Sequence, residues 1–424
     1  MKKIFVLSFI SVGYFLNAQS ISNSPYAAYG IGDVKYDNTI ETTSMGGIST
    51  AYISDFTGNF NFGNPANNSN LELTSIRLEA TNENNYFKTD YNNTKSTKHS
   101  TYLSNISIAF PISSKVKMGF LYQPYSSKSY DIVHTDEIST DNYHINRFKG
   151  SGTLNTAQAA LSYKINSNFA VGAKANFYFG NLYDLNEFST NTAELVNGYE
   201  TKNSIKNFNF TLGTSYQSVD RNDHKLTIGA TATFGNTSNM TTEYTNSTYY
   251  YSDVDVKANV NVIEQRKISS NNLLPLQASV GVGYGSENQW FVSGQVDYKK
   301  GESVSYFGST FDYQDSYRIS AGGWYLPNYN NFRSYFSRVV YRYGAFYEKG
   351  SIEIAGTSIN KMGISAGVML PFKNSSITRM SGLEIGVELG KRGTVKNNLI
   401  NQNFVNLKVG FNFADRWFRK QLYN

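Results

Sequence analysis

The constraint that weighs most on this chain is the strict alternation of apolar and polar residues in its C-terminal segments. In Val405-Asn-Leu-Lys-Val-Gly-Phe-Asn-Phe413, the side chains of Val405, Leu407, Val409, Phe411 and Phe413 share one face of an extended strand, and Asn406, Lys408, Gly410 and Asn412 share the other. Met362 to Leu370 and Leu383 to Leu389 repeat the pattern. Each strand has one face suited to apolar surroundings and one suited to water. A half-buried strand of a soluble sandwich has the same period, so alternation by itself does not select a membrane.

The other end of the chain makes that selection. Lys2-Lys3, an apolar run from Ile4 to Leu16, and then Asn17-Ala18-Gln19 read as a secretory signal peptide over residues 1–18, with cleavage expected after Ala18. Leu16 stands where a small residue is usual, so the site is slightly irregular. The run is too short and wrongly flanked for a spanning helix, and no later stretch reaches the ~18 consecutive apolar residues that such a helix needs. An exported chain with dyad strands and no spanning helix points to an all-β transmembrane barrel in the bacterial outer membrane.

Composition agrees once a wet lumen is allowed for. Only 40% of the 424 residues are hydrophobic, which a barrel tolerates because every second strand residue faces water. Aromatic residues make up 15%, an excess that fits girdles at the two membrane interfaces. Stacking on carbohydrate or nucleic acid is the rival cause. The absence of cysteine excludes disulfides, thiolate metal sites and a lipid-modified N-terminal cysteine. The net charge of +6 comes from scattered Lys and Arg with no run of five, which suits a lumen and loops better than a nucleic-acid surface.

Residues 19–70 do not read as strands. Glycine, asparagine and small residues cluster at Tyr29-Gly30-Ile31-Gly32-Asp33, Ser44-Met45-Gly46-Gly47 and Gly63-Asn64-Pro65-Ala66-Asn67, favouring turns and irregular elements. Such a segment either hangs in the periplasm or folds back as a plug. From residue 71 onward, fourteen candidate strands follow, the first over about 71–90 and the last three being the C-terminal segments above. Connections after strands 2, 4, 6 and 8 are short and those after 1, 3, 5 and 7 are longer, which places both termini in the periplasm. The rhythm lapses over about 238–272, around Tyr249-Tyr250-Tyr251, Asp253 and Asp255, in an extracellular excursion or in strands extended above the membrane. The expected division is signal peptide 1–18, N-terminal hatch 19–70, barrel 71–415 and periplasmic tail 416–424.

Met45-Gly46-Gly47 and Asn64-Pro65-Ala66, in that order behind a signal peptide and ahead of many alternating strands, resemble the FadL-type outer-membrane transporters of long-chain fatty acids and other hydrophobic compounds. The resemblance implies that Met45, Gly46, Gly47, Asn64, Pro65 and Ala66 belong to a hatch plugging a fourteen-stranded barrel. It also implies passive uptake of hydrophobic small molecules or fatty acids, in contact with outer-membrane lipid and without nucleic acid or cofactor. A kink in the third strand that opens a lateral exit is a feature of that family, and here Pro124 stands in that strand. Proline lacks the ladder donor and breaks one hydrogen bond, unless the strand has left the membrane by then and Pro124 sits on the rim. The alternative function is a non-transporting barrel subunit of a larger outer-membrane secretion or assembly complex. Arg416, Trp417, Phe418 and Arg419 of the basic, aromatic tail would then be the docking segment.

Catalytic and metal patterns are weak. His99, His134, His144 and His224 are expected in loops or near strand ends, and none has metal-ligand spacing. Glu384 and Glu388 share the lumen face of one strand but lie ~13 Å apart, too far for a joint acid/base pair, and are expected as solvated charges paired with Lys or Arg. Gly281, Gly283 and Gly285 alternate within a strand, where they thin the lumen wall, and no helix follows to bind a phosphate. With no Gly-x-Ser-x-Gly elbow either, an enzyme is not expected.

Overall fold

The computed structural model describes residues 24–417 except 36–38, 57, 91–93, 307–308, 332, 374 and 376–379, with side chains of 236–239, 270–273, 304–306 and 309 also left aside. The signal peptide and Phe418 and Arg419 lie outside the described residues.

Alternating segments pair in chain order through fourteen antiparallel strands. They are β1 (Thr74–Thr89), β2 (Lys95–Pro111), β3 (Val116–Ser127), β4 (Asn142–Lys164), β5 (Phe169–Thr190), β6 (Val196–Val219) and β7 (His224–Phe234). The second half comprises β8 (Gln277–Ser286), β9 (Trp290–Lys299), β10 (Ser316–Tyr325), β11 (Val340–Lys349), β12 (Lys361–Pro371), β13 (Gly382–Gly393) and β14 (Ile400–Asp415). β14 returns to β1 with Asp415 opposite Thr74 and Ile400 opposite Thr89, so the sheet closes. Closure pairs the backbone groups that an open sheet in lipid would leave unsatisfied. The two faces differ as the alternation requires: Phe411 is 42% exposed on the outside, whereas its neighbour Asn412 is fully buried inside.

The wall is much taller on one side. β4, β5 and β6 run for 23, 22 and 24 residues, against 10 for each of β8 to β11. The stretch of lapsed rhythm is a hairpin, Asn236–Asp253 with Val256–Leu274, whose first strand pairs along the upper part of β6. Tyr130–Ser139 extends β3 upward in the same way against β4. Above the lipid both faces of a strand meet water, so dyad alternation is no longer needed there.

The core of the barrel is the N-terminal segment. Met45, Ile48, Tyr52 and Phe56 form one apolar cluster with Phe291, Trp324, Val340 and Met369 of the wall. Phe60, Phe62 and Leu71 form another with Ala109, Leu121 and Ala160. Glycine in the wall makes this approach possible: a β-carbon on Gly344 would collide with Met45 and Gly46, and one on Gly172 with Pro65.

Candidate functional site: the lumen segment and a break in the wall

Short helix Ile40–Thr43 opens the inner segment; Thr39 caps it, its Oγ accepting from the Thr42 N–H at 3.4 Å. It ends in Gly46 and Gly47, whose φ angles of 75° and 93° a side chain would resist. The Gly46 N–H donates to Ser365 at 2.9 Å, and its carbonyl accepts from Arg318 at 3.0 Å. Met45 is fully buried. Asn64 caps the turn Pro65–Asn68 by accepting from the Ala66 N–H at 3.0 Å, while its amide donates to the carbonyls of Thr50 at 2.7 Å and Thr214 at 3.1 Å. Both tripeptides are therefore fastened to the lumen wall, on opposite arcs.

Beside them is a buried ionic network that sequence reasoning missed. Glu41 accepts from Arg77 at 2.7 Å, Tyr52 at 2.6 Å, Asn59 at 2.7 Å and Arg342 at 3.4 Å. Burial works against the Glu41 charge, but Arg77 and Arg342 outweigh it and hold the carboxyl below the ordinary range. The Ile40 N–H donates to Glu79 at 3.2 Å, and Lys408 donates to Thr43 at 3.1 Å. The expected pairing of the two β13 carboxylates is found, Glu384 with Arg342 and Glu388 with Lys361, each at 3.5 Å. Glu384 is only 1% exposed, however, so it is sealed among buried groups and is not solvated as expected. The usable signal was charge at lumen-parity positions: Arg77 between Ile76 and Leu78, and Arg342 between Tyr341 and Tyr343.

Pro124 lies where the wall comes apart. β2 and β3 pair only up to Ile106 opposite Tyr122. Just above, β2 carries a bulge at Ser104, against β1, and β3 carries one at Tyr125, between Pro124 and Ser126, against β4. A bulge bends its strand and ends regular pairing. Among the described residues, Lys95–Asn105 has a ladder partner only in β1. The freed edge of β3 is taken up from inside, with Val34 opposite Ser126 and Asp33 opposite Ser127, and the Lys35 N–H donates to the Tyr125 carbonyl at 2.7 Å. The Lys35 ammonium crosses to Glu83 of β1 at 2.8 Å, and Glu83 also accepts from Tyr102 of β2 at 2.6 Å. Asp33 pairs with Lys35 at 3.1 Å and with Arg392 of β13 at 2.6 Å. A lumen chamber reaches this place and is lined there by Lys35, Tyr102, Ser104, Pro124 and Tyr125.

The remaining expected residues fall elsewhere. Arg416 and Trp417 are exposed just beyond β14. His144 and His224 lie at the starts of β4 and β7, near strand ends as expected, whereas His99 lies within β2 and His134 within Tyr130–Ser139, because these strands continue beyond the lipid. Among the described residues no group of His, Cys, Asp or Glu could hold a metal ion. Gly281 and Gly283 face inward with Ala51 against them, which accounts for the thinned wall.

A closed fourteen-stranded antiparallel barrel is the fold that this chain shares with the FadL-type outer-membrane barrels. By sequence, the chain belongs to the BamG family, whose model matches residues 1–424. A FadL homologue of Pseudomonas aeruginosa is similar at a TM-score of 0.59 with 12% identity, over 90% of this chain and 98% of that one. The toluene transporter TodX of Pseudomonas putida is similar at 0.56 with 15% identity, over 91% and 99% of the two chains. TbuX, a toluene transporter of Ralstonia pickettii, gives 0.52 with 13% identity, over 89% and 98%. No curated protein matches the sequence.

Proposed function

We propose that this chain is an outer-membrane channel for passive uptake of hydrophobic compounds such as long-chain fatty acids, with a lateral exit between β2 and β3. The observation that carries this reading is the end of their ladder at Ile106 and Tyr122, with Pro124 and a bulge on each strand just above. A hydrophobic solute that leaves sideways keeps its apolar surface out of water, at about 25 cal/mol per Å². Unpaired backbone facing lipid costs several kcal/mol per group, which the inner segment offsets here by pairing with β3. The likeness to channels described as toluene transporters supports the solute class.

The test is a disulfide between cysteines introduced at Asn105 and Gln123, the next pair in register beyond Ile106 and Tyr122, both on the lumen face where the ladder stops. The locked barrel should fold and lose uptake of a labelled fatty acid; undiminished uptake rejects the lateral route.

The second reading, a non-transporting subunit of a larger outer-membrane complex, is favoured by the number of buried ionic ties holding the inner segment, Glu41 with Arg77 and Arg342 above all. Copurification from native membranes in mild detergent, with analysis of both bound lipid and protein partners, separates the two.

A further inference from the structure

Two rows of polar side chains run round the lumen face from the edge of the break. One passes through Gln123 of β3, Thr156 of β4, Tyr178 of β5 and Asn207 of β6, each opposite the next in the ladder. The row below starts at Leu121 and continues through Gln158, Asn176 and Asn209. None of these residues is more than 7% exposed.

Four polar atoms in these rows have no hydrogen-bond partner among the described residues: Thr156 Oγ1, Asn176 Oδ1, Asn207 Nδ2 and Asn209 Nδ2. The other ends of the amides are used. Asn176 Nδ2 donates to Asn209 Oδ1 at 2.7 Å, and Asn207 Oδ1 accepts from the Phe208 N–H at 2.6 Å. Buried polar groups are ordinarily paired, so four that are not, side by side, mark a place that a hydrogen-bonding molecule fills. Two amide donors, one acceptor and a hydroxyl that can act as either suit a partner that both gives and takes hydrogen bonds.

The rows open on the lumen chamber, a cavity of about 400 Å³ lined here by Gln123, Asn176, Tyr178 and Asn207. That volume is in the range of small-molecule pockets. Beside the amides the lining turns apolar: Leu154, Ile205, Ile31 and Tyr125 pack in one cluster, and the Tyr125 ring lies 4.6 Å from that of Tyr178. This apolar flank leads to Pro124 and the break. Lys35, the cation at the break, is already shared between Glu83 and Asp33.

We propose that this end of the chamber holds the uncharged, hydroxyl-bearing head of an amphiphile, such as a monoacylglycerol, with its alkyl chain along Leu154, Ile205 and Tyr125. Hydroxyls donate and accept, as Asn176 and Asn207 together require. A plain hydrocarbon would leave those amides unpaired, and a carboxylate, which only accepts, would leave Asn176 Oδ1 so. A free polyol offers the same hydroxyls but nothing for the apolar flank. The proposal narrows the solute class of the transport reading, on which only the chain's way out through the break rests; the head-group site exists whether or not the solute moves on.

The test measures equilibrium binding of radiolabelled 1-decanoylglycerol, decanoate and glycerol to the full chain in nanodiscs, corrected for empty nanodiscs. Saturable binding of decanoylglycerol is expected, about tenfold tighter than that of decanoate, with glycerol far weaker than either. Asn176→Leu/Asn207→Leu should weaken decanoylglycerol about tenfold and leave decanoate unchanged. Heat-modifiable migration on gels checks folding, and if the double variant does not fold, the order of the three ligands on the unaltered chain decides. No saturable binding, glycerol binding as tightly as decanoylglycerol, or full binding in the double variant overturns the proposal. So does tighter binding of decanoate that Lys174→Gln, in the same lining, abolishes. Binding with no uptake would count against the transport reading alone.

Discussion

Lys35 and Glu83, whose charged groups lie 2.8 Å apart, join the inner segment to the strand on the far side of the break between β2 and β3. Through its backbone Lys35 belongs to the freed edge of β3, and through its side chain to β1. A single residue thus bridges the parted wall from within. Lys35→Met leaves Asp33 and Glu83 without their shared cation and should cost about 3 kcal/mol locally. Hydrogen exchange read by mass spectrometry should then speed up in the peptide spanning residues 31–35, and unchanged protection there would show that the bridge bears no load.

The same bridge sets a pH window. Burial raises the Asp33 carboxyl, but Lys35 and Arg392 lower it further and leave it below the ordinary carboxylate range. Its contribution is therefore present above about pH 4 and fades only as pH falls through its depressed folded value. For Lys35, burial lowers and Asp33 with Glu83 raise, leaving it above the ordinary lysine value. That contribution is complete below about pH 10 and is lost as pH rises beyond it. Local protection of residues 31–35, corrected for intrinsic exchange, should be flat from about pH 5 to pH 9; a step near neutrality would contradict this assignment.

Glu41→Gln should destabilise the seating of the inner segment by about 3 to 5 kcal/mol, because it removes the anion facing Arg77 and Arg342 and leaves both buried. The expected signs are a larger single-channel conductance in planar bilayers and cleavage after residue 41 by a protease to which the native barrel is resistant.

Gly344→Ala tests the same seating sterically. The added methyl would meet the backbone of Met45 and Gly46, at an expected cost of about 1 to 3 kcal/mol. Gly294→Ala, where a β-carbon meets nothing within 4 Å, is the control and should leave conductance unchanged.

The outer face gives a test of register. Phe411→Arg should cost about 2 to 4 kcal/mol in reversible unfolding from lipid, whereas Lys174→Arg, on the lumen face, should be mild. Equal costs would mean that the faces are assigned the wrong way round.

Much of this architecture was legible because lipid enforces a period of two. Each of the fourteen strands begins or ends within the apolar–polar alternation, from Ile106-Ile108-Phe110 in β2 to Val409-Phe411-Phe413 in β14. The hairpin Asn236–Asp253 with Val256–Leu274 could be read only as an excursion or as strands extended above the membrane, without a choice between them, since water on both sides removes the period. Gly46 and Asn64 could be singled out by residue type, but their anchors could not. Ser365, Arg318 and Thr214 lie far along the chain, and only closure brings them to the same lumen. Glu41, Arg77 and Arg342 read as three ordinary charges until their mutual distances are known, because lumen parity alone does not separate a solvated charge from a sealed one.

The span of those anchors also bears on assembly. Residues 40–47 are among the first of the described chain to be made, yet they touch Ser365, Arg342, Glu384 and Lys408 or the groups bound to these, near its end. The inner segment therefore cannot take its final contacts until β11 to β14 have arrived. Once β14 zips onto β1 from Asp415 to Ile400, it is enclosed on all sides. The contacts that hold residues 40–47 therefore form late, and the strand that closes the wall also encloses them.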